Sequence, residues 1–155
     1  MTHEEIVKAL QEKFPDIKFE PHNLNDEAVI LPAEKIKDVA GYLKNTPELH
    51  FDFLIFVTAV DYIDEKKFEL TYHLYSYTHK HKIFLKVNLP RENPEIKTVS
   101  DLWATADWHE REVYDLFGVK FLEHPDLIRI MMPYDWTGHP LRKDYRHPAY
   151  VPKPE

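Results

Sequence analysis

The sequence contains no cysteine. This absence excludes a disulfide, a thiolate-ligated iron–sulfur cluster, a cysteine-based zinc site and a cysteine nucleophile. Glycine is also scarce, with three residues in 155, so a phosphate-binding backbone nest has few places to form. The sequence has no phosphate-binding loop, no dinucleotide-binding fingerprint and no Gly-Xaa-Ser-Xaa-Gly motif. Nothing in it therefore points to the enzyme classes that use these motifs.

Long hydrophobic runs are missing as well. None approaches the roughly 18 residues that cross a bilayer, and the acidic start at residues 1–5 lacks the apolar core of a signal peptide, so we expect no export. The net charge of −7 argues against nucleic-acid binding. Residues 124–155 hold five basic and four acidic residues, whereas residues 1–123 hold 15 and 23. The acidity therefore lies before residue 124, where we interpret it as a solvated surface.

Hydrophobic periodicity predicts an α+β fold. A capping box at Thr2 and Glu5 begins a helix that ends before Pro15, and a second helix follows Pro32. Strands are predicted at residues 17–19, 27–31, 51–62, 67–77, 82–89 and 119–121, with a turn at 21–26. Residues 53–57 are apolar on both faces, which predicts a central strand covered on both sides. Short connections favour a mixed or antiparallel sheet in two layers, with helices on one face.

A third helix is predicted over residues 106–117, because this run lacks proline and glycine and Gly118 follows it. On such a helix Trp108, Arg111, Glu112 and Asp115 share one face. Arg111 and Asp115 are four residues apart and can form an ion pair.

The chain changes character after residue 123. Six of its 12 prolines lie between Pro125 and Pro154, where they prevent a long helix and favour extended backbone. The aromatic residues Tyr134, Trp136 and Tyr145 lie between them. We therefore predict an α+β body at residues 1–123 and an extended proline-rich C-terminal arm at 124–155. Such an arm must pack on its own domain or on another protein.

Three segments of this region, Glu110–Gly118, His124–Ile130 and Gly138–Asp144, resemble the 30-kDa subunit of respiratory complex I, which is the C subunit of the bacterial enzyme. The chain departs from that pattern at Glu123, where the family usually has glycine. It departs also at Ile128 and Arg146, where arginine and proline are usual. The resemblance marks the following motif and interface residues: Glu110, Arg111, Glu112, Asp115, Gly118, His124, Pro125, Arg129, Trp136, Gly138, His139, Pro140, Arg142, Lys143 and Asp144.

The resemblance implies a structural and assembly subunit of the peripheral arm of a proton-translocating NADH:quinone oxidoreductase. It implies that the chain carries no cofactor and no catalytic residue, while FMN and iron–sulfur clusters lie on other subunits. Its partners would be the quinone-site subunit, which is the D subunit of the bacterial enzyme, and neighbouring cluster-bearing subunits. The chain would lie at the cytoplasmic face of the membrane, held there only through the complex. The alternative within this resemblance is the equivalent subunit of a membrane-bound hydrogenase or of a complex with another electron donor.

The residues themselves allow a different hypothesis, an independent hydrolase that uses Glu110, Glu112 or Asp115 with His109. Arginine side chains at residues 111, 129 and 142 argue instead for an ion-pair lattice, because carboxylates paired with arginine stay charged. A metal site is not expected, since His109, His124 and His139 are fifteen residues apart, which is no ligand spacing. We favour the structural interpretation.

Overall fold

The computed structural model describes residues 1–22, 25–149 and 151. Its main feature is a five-stranded mixed sheet with the strand order β1-β2-β5-β4-β3. The strands are β1 (Glu20–His22), β2 (Asn25–Ile30), β3 (Phe53–Tyr62), β4 (Lys67–Ser76) and β5 (His81–Pro90). The β2–β5 pair is parallel and the other pairs are antiparallel. This mixed sheet confirms the predicted α+β class.

Three helices, α1 (His3–Lys13), α2 (Ile36–Asn45) and α3 (Ala104–Phe117), contribute to one hydrophobic core with the sheet. The capping box is present at the start of α1, where the Thr2 hydroxyl accepts from the Glu5 N–H and the Glu5 carboxylate accepts from the Thr2 N–H. Both predicted apolar stripes are buried. They consist of Ile6 and Leu10 in α1 and of Ile36, Val39, Ala40 and Leu43 in α2.

The prediction of a central, doubly covered strand at residues 53–57 is wrong, because β3 lies at the edge of the sheet. Leu54 and Val57 are buried, but Phe53 and Ile55 are about one-third exposed. The register shifts between Leu54 and Phe56, so that Ile55 lies in a bulge. The opposite face of the sheet remains partly exposed, and there Phe56, His73 and Phe84 align across three strands.

Helix α3 is framed by two short strands, β6 (Glu95–Lys97) and β7 (Lys120–Leu122), which pair in parallel. The sequence predicted β7 approximately and missed β6. In the N-terminal region the strand expected at 17–19 begins later, at Glu20. The turn expected at 21–26 is replaced by strand at both ends, and residues 23 and 24 lie outside the described part of the chain.

Within residues 124–149 the structure contains neither helix nor strand, and the chain follows a series of turns. The turns lie against the C-terminal end of α3 and the ends of β3 and β5. Whether residues 1–123 and 124–155 act as separate units remains a prediction. No helix in the described ranges is long and apolar enough to cross a membrane.

Candidate functional site

The junction between helix α3 and the chain after residue 123 is the candidate functional site, and the beginning of α3 is held by the sheet. The Trp103 indole N–H donates to the Phe51 carbonyl oxygen at 3.0 Å. The Thr105 hydroxyl donates to the Leu54 carbonyl oxygen at 3.1 Å. Because these acceptors belong to β3 and the residues just before it, the helix covers part of the sheet's edge.

Gly118 ends the helix with a φ of +79°, in the left-handed conformation that the sequence predicts. Its N–H donates to the Tyr114 carbonyl oxygen at 2.8 Å. A Cβ at this position would lie 2.6 Å from the His139 ring and 2.9 Å from the Arg142 guanidinium. Glycine is therefore needed both for the turn and for the close approach of the C-terminal segment, the name we use for residues 124–149.

Asp115 is the deepest attachment point of this segment. Its carboxylate is fully buried and accepts from the Arg129 guanidinium at 2.6 Å. The other carboxylate oxygen accepts three main-chain N–H groups at 2.7–3.0 Å, those of residues 130, 131 and 132. Burial raises the pKa of Asp115, but the bonds from these N–H groups and from Arg129 outweigh it, and the net pKa is lowered. Asp115 therefore remains an anion that orients the chain from 129 to 132.

The carbonyl oxygens at the end of α3 bind the next part of the segment. Arg142 Nε donates to the Phe117 carbonyl oxygen at 2.6 Å, and the Leu141 N–H donates to that of Leu116 at 3.0 Å. His139 Nδ1 lies 3.0 Å from the Asp115 carbonyl oxygen. The last carbonyls of a helix lack partners within it, so the segment acts as a C-terminal cap. The cationic side chain of Arg142 also complements the negative end of the helix dipole.

A second attachment point joins the segment to the sheet through Arg91. The Arg91 guanidinium donates to both carboxylate oxygens of Asp61, at 2.7 and 2.9 Å, and to Asp144 at 2.7 and 3.2 Å. Asp61 also accepts the Lys143 N–H at 2.9 Å. Sequence reasoning missed Asp61 and Arg91. Two signals were available in the sequence. Asp61 is a single carboxylate near the end of the apolar run of β3, and Arg91 directly follows β5.

Phe68 lies between the second attachment point and the cap of α3. Its buried ring lies 5.7 Å from the Arg91 guanidinium carbon and 5.1 Å from that of Arg142. The ring of Phe117 packs against it edge-on, with the centroids 6.0 Å apart. Arginine–aromatic contacts of this kind hold the planar guanidinium groups in place.

Arg111 does not form the ion pair with Asp115 that the helix spacing allows. Its guanidinium lies 3.1 Å from Asp107 and 3.7 Å from the Asp126 carboxylate, and Nε donates to the Asp126 carbonyl oxygen at 2.8 Å. The Trp108 ring lies 4.8 Å away. Asp115 is turned towards the core and Arg129, so Arg111 uses the carboxylate one turn earlier on the helix.

The carboxylates of the Glu110–Asp115 run have separate surroundings. Glu110 is fully buried and accepts from the Thr98 hydroxyl and from the Val99 N–H. Glu112 is partly exposed, whereas Asp115 faces Arg129. Among the described residues no three histidine, aspartate or glutamate side chains are grouped so as to hold a metal ion.

The remaining motif residues lie in the turns of the segment. Trp136 stacks on His147 with ring centroids 4.9 Å apart. Gly138 has a φ of +86°, and a Cβ there would lie 2.8 Å from the Tyr145 ring. Pro125 and Pro140 each follow a histidine that contacts α3. Four large apolar side chains at or near the junction are more than half exposed: Trp108, Met131, Tyr134 and Leu141.

These features define an α+β protein whose C-terminal segment is fixed to its own body by buried ion pairs while apolar side chains stay exposed. A family model described as "Respiratory-chain NADH dehydrogenase, 30 Kd subunit" matches residues 29–151, and the chain belongs to that family.

The comparisons with individual proteins agree with this membership. The chain is 43% identical to the C subunit of the NADH-quinone oxidoreductase of Roseiflexus castenholzii over 141 residues, covering 90% of this chain and 81% of that protein. It is similar in structure to a trypsin-resistant fragment (1–134) of Nqo5, with a TM-score of 0.65 and 32% identity over 81% of this chain and all of the fragment. It is also similar to a chain of a membrane-bound sulfane sulfur reductase, an archaeal respiratory membrane complex. That match has a TM-score of 0.71 and 30% identity and covers 95% and 87% of the two chains.

Proposed function

We propose that this chain is the C subunit of an NADH:quinone oxidoreductase and that it acts as a structural and assembly subunit of the peripheral arm. In this proposal it braces the quinone-site D subunit, lies beside cluster-bearing subunits, and reaches the cytoplasmic face of the membrane only through the complex. Electron transfer and proton translocation belong to the whole complex. FMN and iron–sulfur clusters belong to other subunits, and this chain contributes neither a cofactor nor a catalytic residue.

The proposal rests on one observation about the C-terminal segment: its polar anchors are buried in this chain, whereas several of its large apolar side chains are exposed. The polar anchors are satisfied inside this chain, since Asp115 and Asp61 receive arginine and main-chain donors. Tyr134 is nevertheless 82% exposed, Met131 60% and Leu141 52%. Large apolar and aromatic groups held in a defined position are typical anchors of protein interfaces. A segment that is already held in a fixed conformation also loses less conformational entropy on binding.

Burial within the chain supports the proposed absence of catalysis. The side chains of Glu110 and Asp115 are fully buried and hydrogen-bonded, so no substrate reaches them in this conformation. Glu112 is the carboxylate of the run that is accessible. We expect Glu112→Gln to leave the quinone reductase activity of an assembled complex unchanged. A loss of turnover in a fully assembled Glu112→Gln complex would favour the hydrolytic or catalytic alternative.

The docking role is tested with a double variant that carries Tyr134→Ala and Leu141→Ser. The double variant should keep its melting temperature, because both side chains are mostly exposed, and should lose co-purification with the quinone-site subunit. Tyr77→Ala is the matched control, since Tyr77 is 61% exposed on another part of the surface. Full co-purification of the double variant would contradict the docking role of the segment. Loss of folding would show that these side chains support the body.

Truncation after Tyr134 tests the same proposal independently. This change removes Lys143 and Asp144 from the second attachment point and Arg142 from the cap of α3, but it keeps the Asp115–Arg129 pair. We expect a folded body by circular dichroism that no longer enters the complex. The solved relative, itself a trypsin-resistant fragment, supports the expectation that a shortened chain folds.

A second candidate is the equivalent subunit of a complex with another electron donor, such as a membrane-bound hydrogenase. The likeness to a chain of the archaeal sulfane sulfur reductase complex favours it. Purifying the native complex through this chain and identifying the co-purified subunits decides between them. An NADH-oxidising flavoprotein in that complex supports the first candidate, and a hydrogenase or sulfur reductase component supports the second.

A further inference from the structure

A buried polar cluster at the beginning of the C-terminal segment has no role in the proposed docking. It contains Glu110 of α3 and His124, whose side chains are both fully buried, with His124 Nε2 3.8 Å from the nearer carboxylate oxygen. His124 Nε2 also lies 3.0 Å from the Asp107 carboxylate. The Tyr72 hydroxyl, buried on β4, has no hydrogen-bond partner in the described structure. His124, Asp107 and Glu110 thus meet where the segment joins the helix, and the charge of Glu110 acts on the buried Tyr72 hydroxyl.

The hydrogen bonds determine the tautomer of His124. Its Nδ1 accepts the Asp126 main-chain N–H at 3.1 Å, so this nitrogen carries no proton. The proton of the neutral ring is therefore on Nε2, which faces Asp107. The turn that begins the segment and helix α3 therefore hold the imidazole through both of its ring nitrogens.

No lysine or arginine in the described contacts neutralises Glu110. The neighbouring Arg111 lies against Asp107 and Asp126, and Lys37 of α2 lies 3.1 Å from Asp101 and 3.7 Å from Glu123. The remaining contacts to the Glu110 carboxylate come from neutral groups, an O–H and an N–H, on the loop after β6.

Burial raises the pKa of Glu110 to about 7, with smaller contributions from the negative charges of Asp107 and Asp101, although the bonds from Thr98 and Val99 oppose the shift. Burial and the charge of Glu110 likewise raise the pKa of Tyr72, so the phenol stays neutral. Glu110 therefore gains or loses its proton near neutral pH.

We propose that Glu110 and His124 form a proton-dependent latch that sets how firmly the chain at residues 124–126 is attached to helix α3. His124 is the neighbour of Glu110 that belongs to the C-terminal segment. Displacing its turn breaks the His124 contacts with Asp107 and Asp126 and admits water to the carboxylate. A protonated Glu110 loses little hydration free energy when it stays buried. An ionised Glu110 loses much more, and it regains this hydration when the turn opens.

The sign of the effect follows from linkage. The native pKa of about 7 lies above the ordinary value of 4.5, so the closed turn binds more protons than the open turn between these two values. The attachment is then strongest at or below pH 4.5, weakens as the pH rises to about 7, and changes little above that. The opening constant should rise close to tenfold per pH unit between about pH 5 and about pH 6.5.

Hydrogen exchange of the Asp126 amide in the full chain tests this inference, because that N–H donates directly to His124. After correction for the intrinsic exchange rate, the wild-type opening constant should rise with pH as stated and level off above about pH 7. Glu110→Gln keeps the size of the side chain but cannot ionise, so its opening constant should be flat over this range. Glu112→Gln removes the same charge from the same helix and should behave like the wild type.

A flat wild-type profile, or an equal slope in Glu110→Gln, would overturn the latch. A carbon-13 NMR titration of the Glu110 carboxyl in the wild type provides an independent measurement if Glu110→Gln does not fold. A midpoint near 7 supports the inference, and a midpoint below about 5 rejects it. These measurements use the isolated chain, so they do not depend on whether the chain docks on the quinone-site subunit.

Discussion

Asp115 and Arg129 form a buried pair that joins helix α3 to the C-terminal segment fourteen residues further along the chain. Arg129 Nη1 donates to the Asp115 carboxylate at 2.6 Å and to the main-chain oxygen of the same residue at 3.1 Å. Arg129 Nη2 donates to the Gly138 carbonyl oxygen at 2.8 Å. One guanidinium thus connects the end of the helix with two parts of the segment, and its position depends on a single carboxylate.

Asp115→Asn should destabilise the protein by about 3–5 kcal/mol, because it leaves the largely buried Arg129 without its anionic partner. The matched control is Glu112→Gln, which removes a charge from a partly exposed position of the same helix and should change stability by less than about 0.5 kcal/mol. Urea denaturation of both variants measures the difference. Equal effects would mean that the buried pair contributes no more than a surface charge.

Asp61 should make the protein sensitive to acid. Burial raises its pKa, but the bonds from Arg91 and from the Lys143 N–H outweigh this effect, and the net pKa lies below its ordinary value of 3.8. The stabilisation is therefore present above pH 3.8 and is lost as the pH falls through the native pKa. Asp61→Asn should lower the melting temperature at neutral pH and flatten its decline below about pH 4. The exposed Asp135→Asn is the control, and identical acid profiles for the two variants would contradict the prediction.

The glycines should differ sharply when replaced by alanine. Gly118→Ala places a Cβ 2.6 Å from the His139 ring at a φ of +79°, so we expect a loss of at least about 1–2 kcal/mol and a displaced segment. Gly41 lies in α2 with no atom within 4 Å of an added Cβ. Gly41→Ala should therefore stabilise the protein by about 0.5–1 kcal/mol through helix propensity. Thermal melts of the two variants should shift in opposite directions.

Glu123 has a φ of +65°, a left-handed conformation that favours glycine. Its carboxylate lies 3.7 Å from Lys37 and 3.8 Å from Lys97 but is 60% exposed, so these ion pairs contribute little. Relief of backbone strain should outweigh their loss, and Glu123→Gly should raise stability by up to about 1 kcal/mol. Glu123→Gln separates the two effects, since it removes the charge and keeps the strain. A decrease in stability for Glu123→Gly alone would show that the ion pairs dominate.

Local sequence determined the features that depend on neighbouring residues. The capping box at Thr2, the buried stripe of α2 and the left-handed Gly118 follow from spacing along the chain, and each has the expected form. The motifs around residues 110–118, 124–130 and 138–144 were sufficient to identify the family. These features need no knowledge of distant contacts, because helix periodicity and glycine conformation act within a few residues.

Tertiary structure decided the features that depend on which distant groups meet. Arg111 has a carboxylate four residues away on either side, at Asp107 and Asp115, and helix spacing alone does not choose between them. The choice follows from Arg129, which pairs with Asp115 in the core and leaves Arg111 to Asp107.

The place of β3 at the sheet edge and the bond between Asp61 and Arg91 were likewise beyond local reasoning. A central strand and an edge strand that is partly covered by a helix can both consist of consecutive apolar residues. The sequence pattern therefore does not distinguish the two positions. Asp61 and Arg91 are thirty residues apart and come together only when β3 and the end of β5 assemble in one sheet. Spacing along the sequence therefore determined the helices and the motif. The ion pairs that hold the C-terminal segment were decided by the tertiary structure, because their partners meet only in the folded protein.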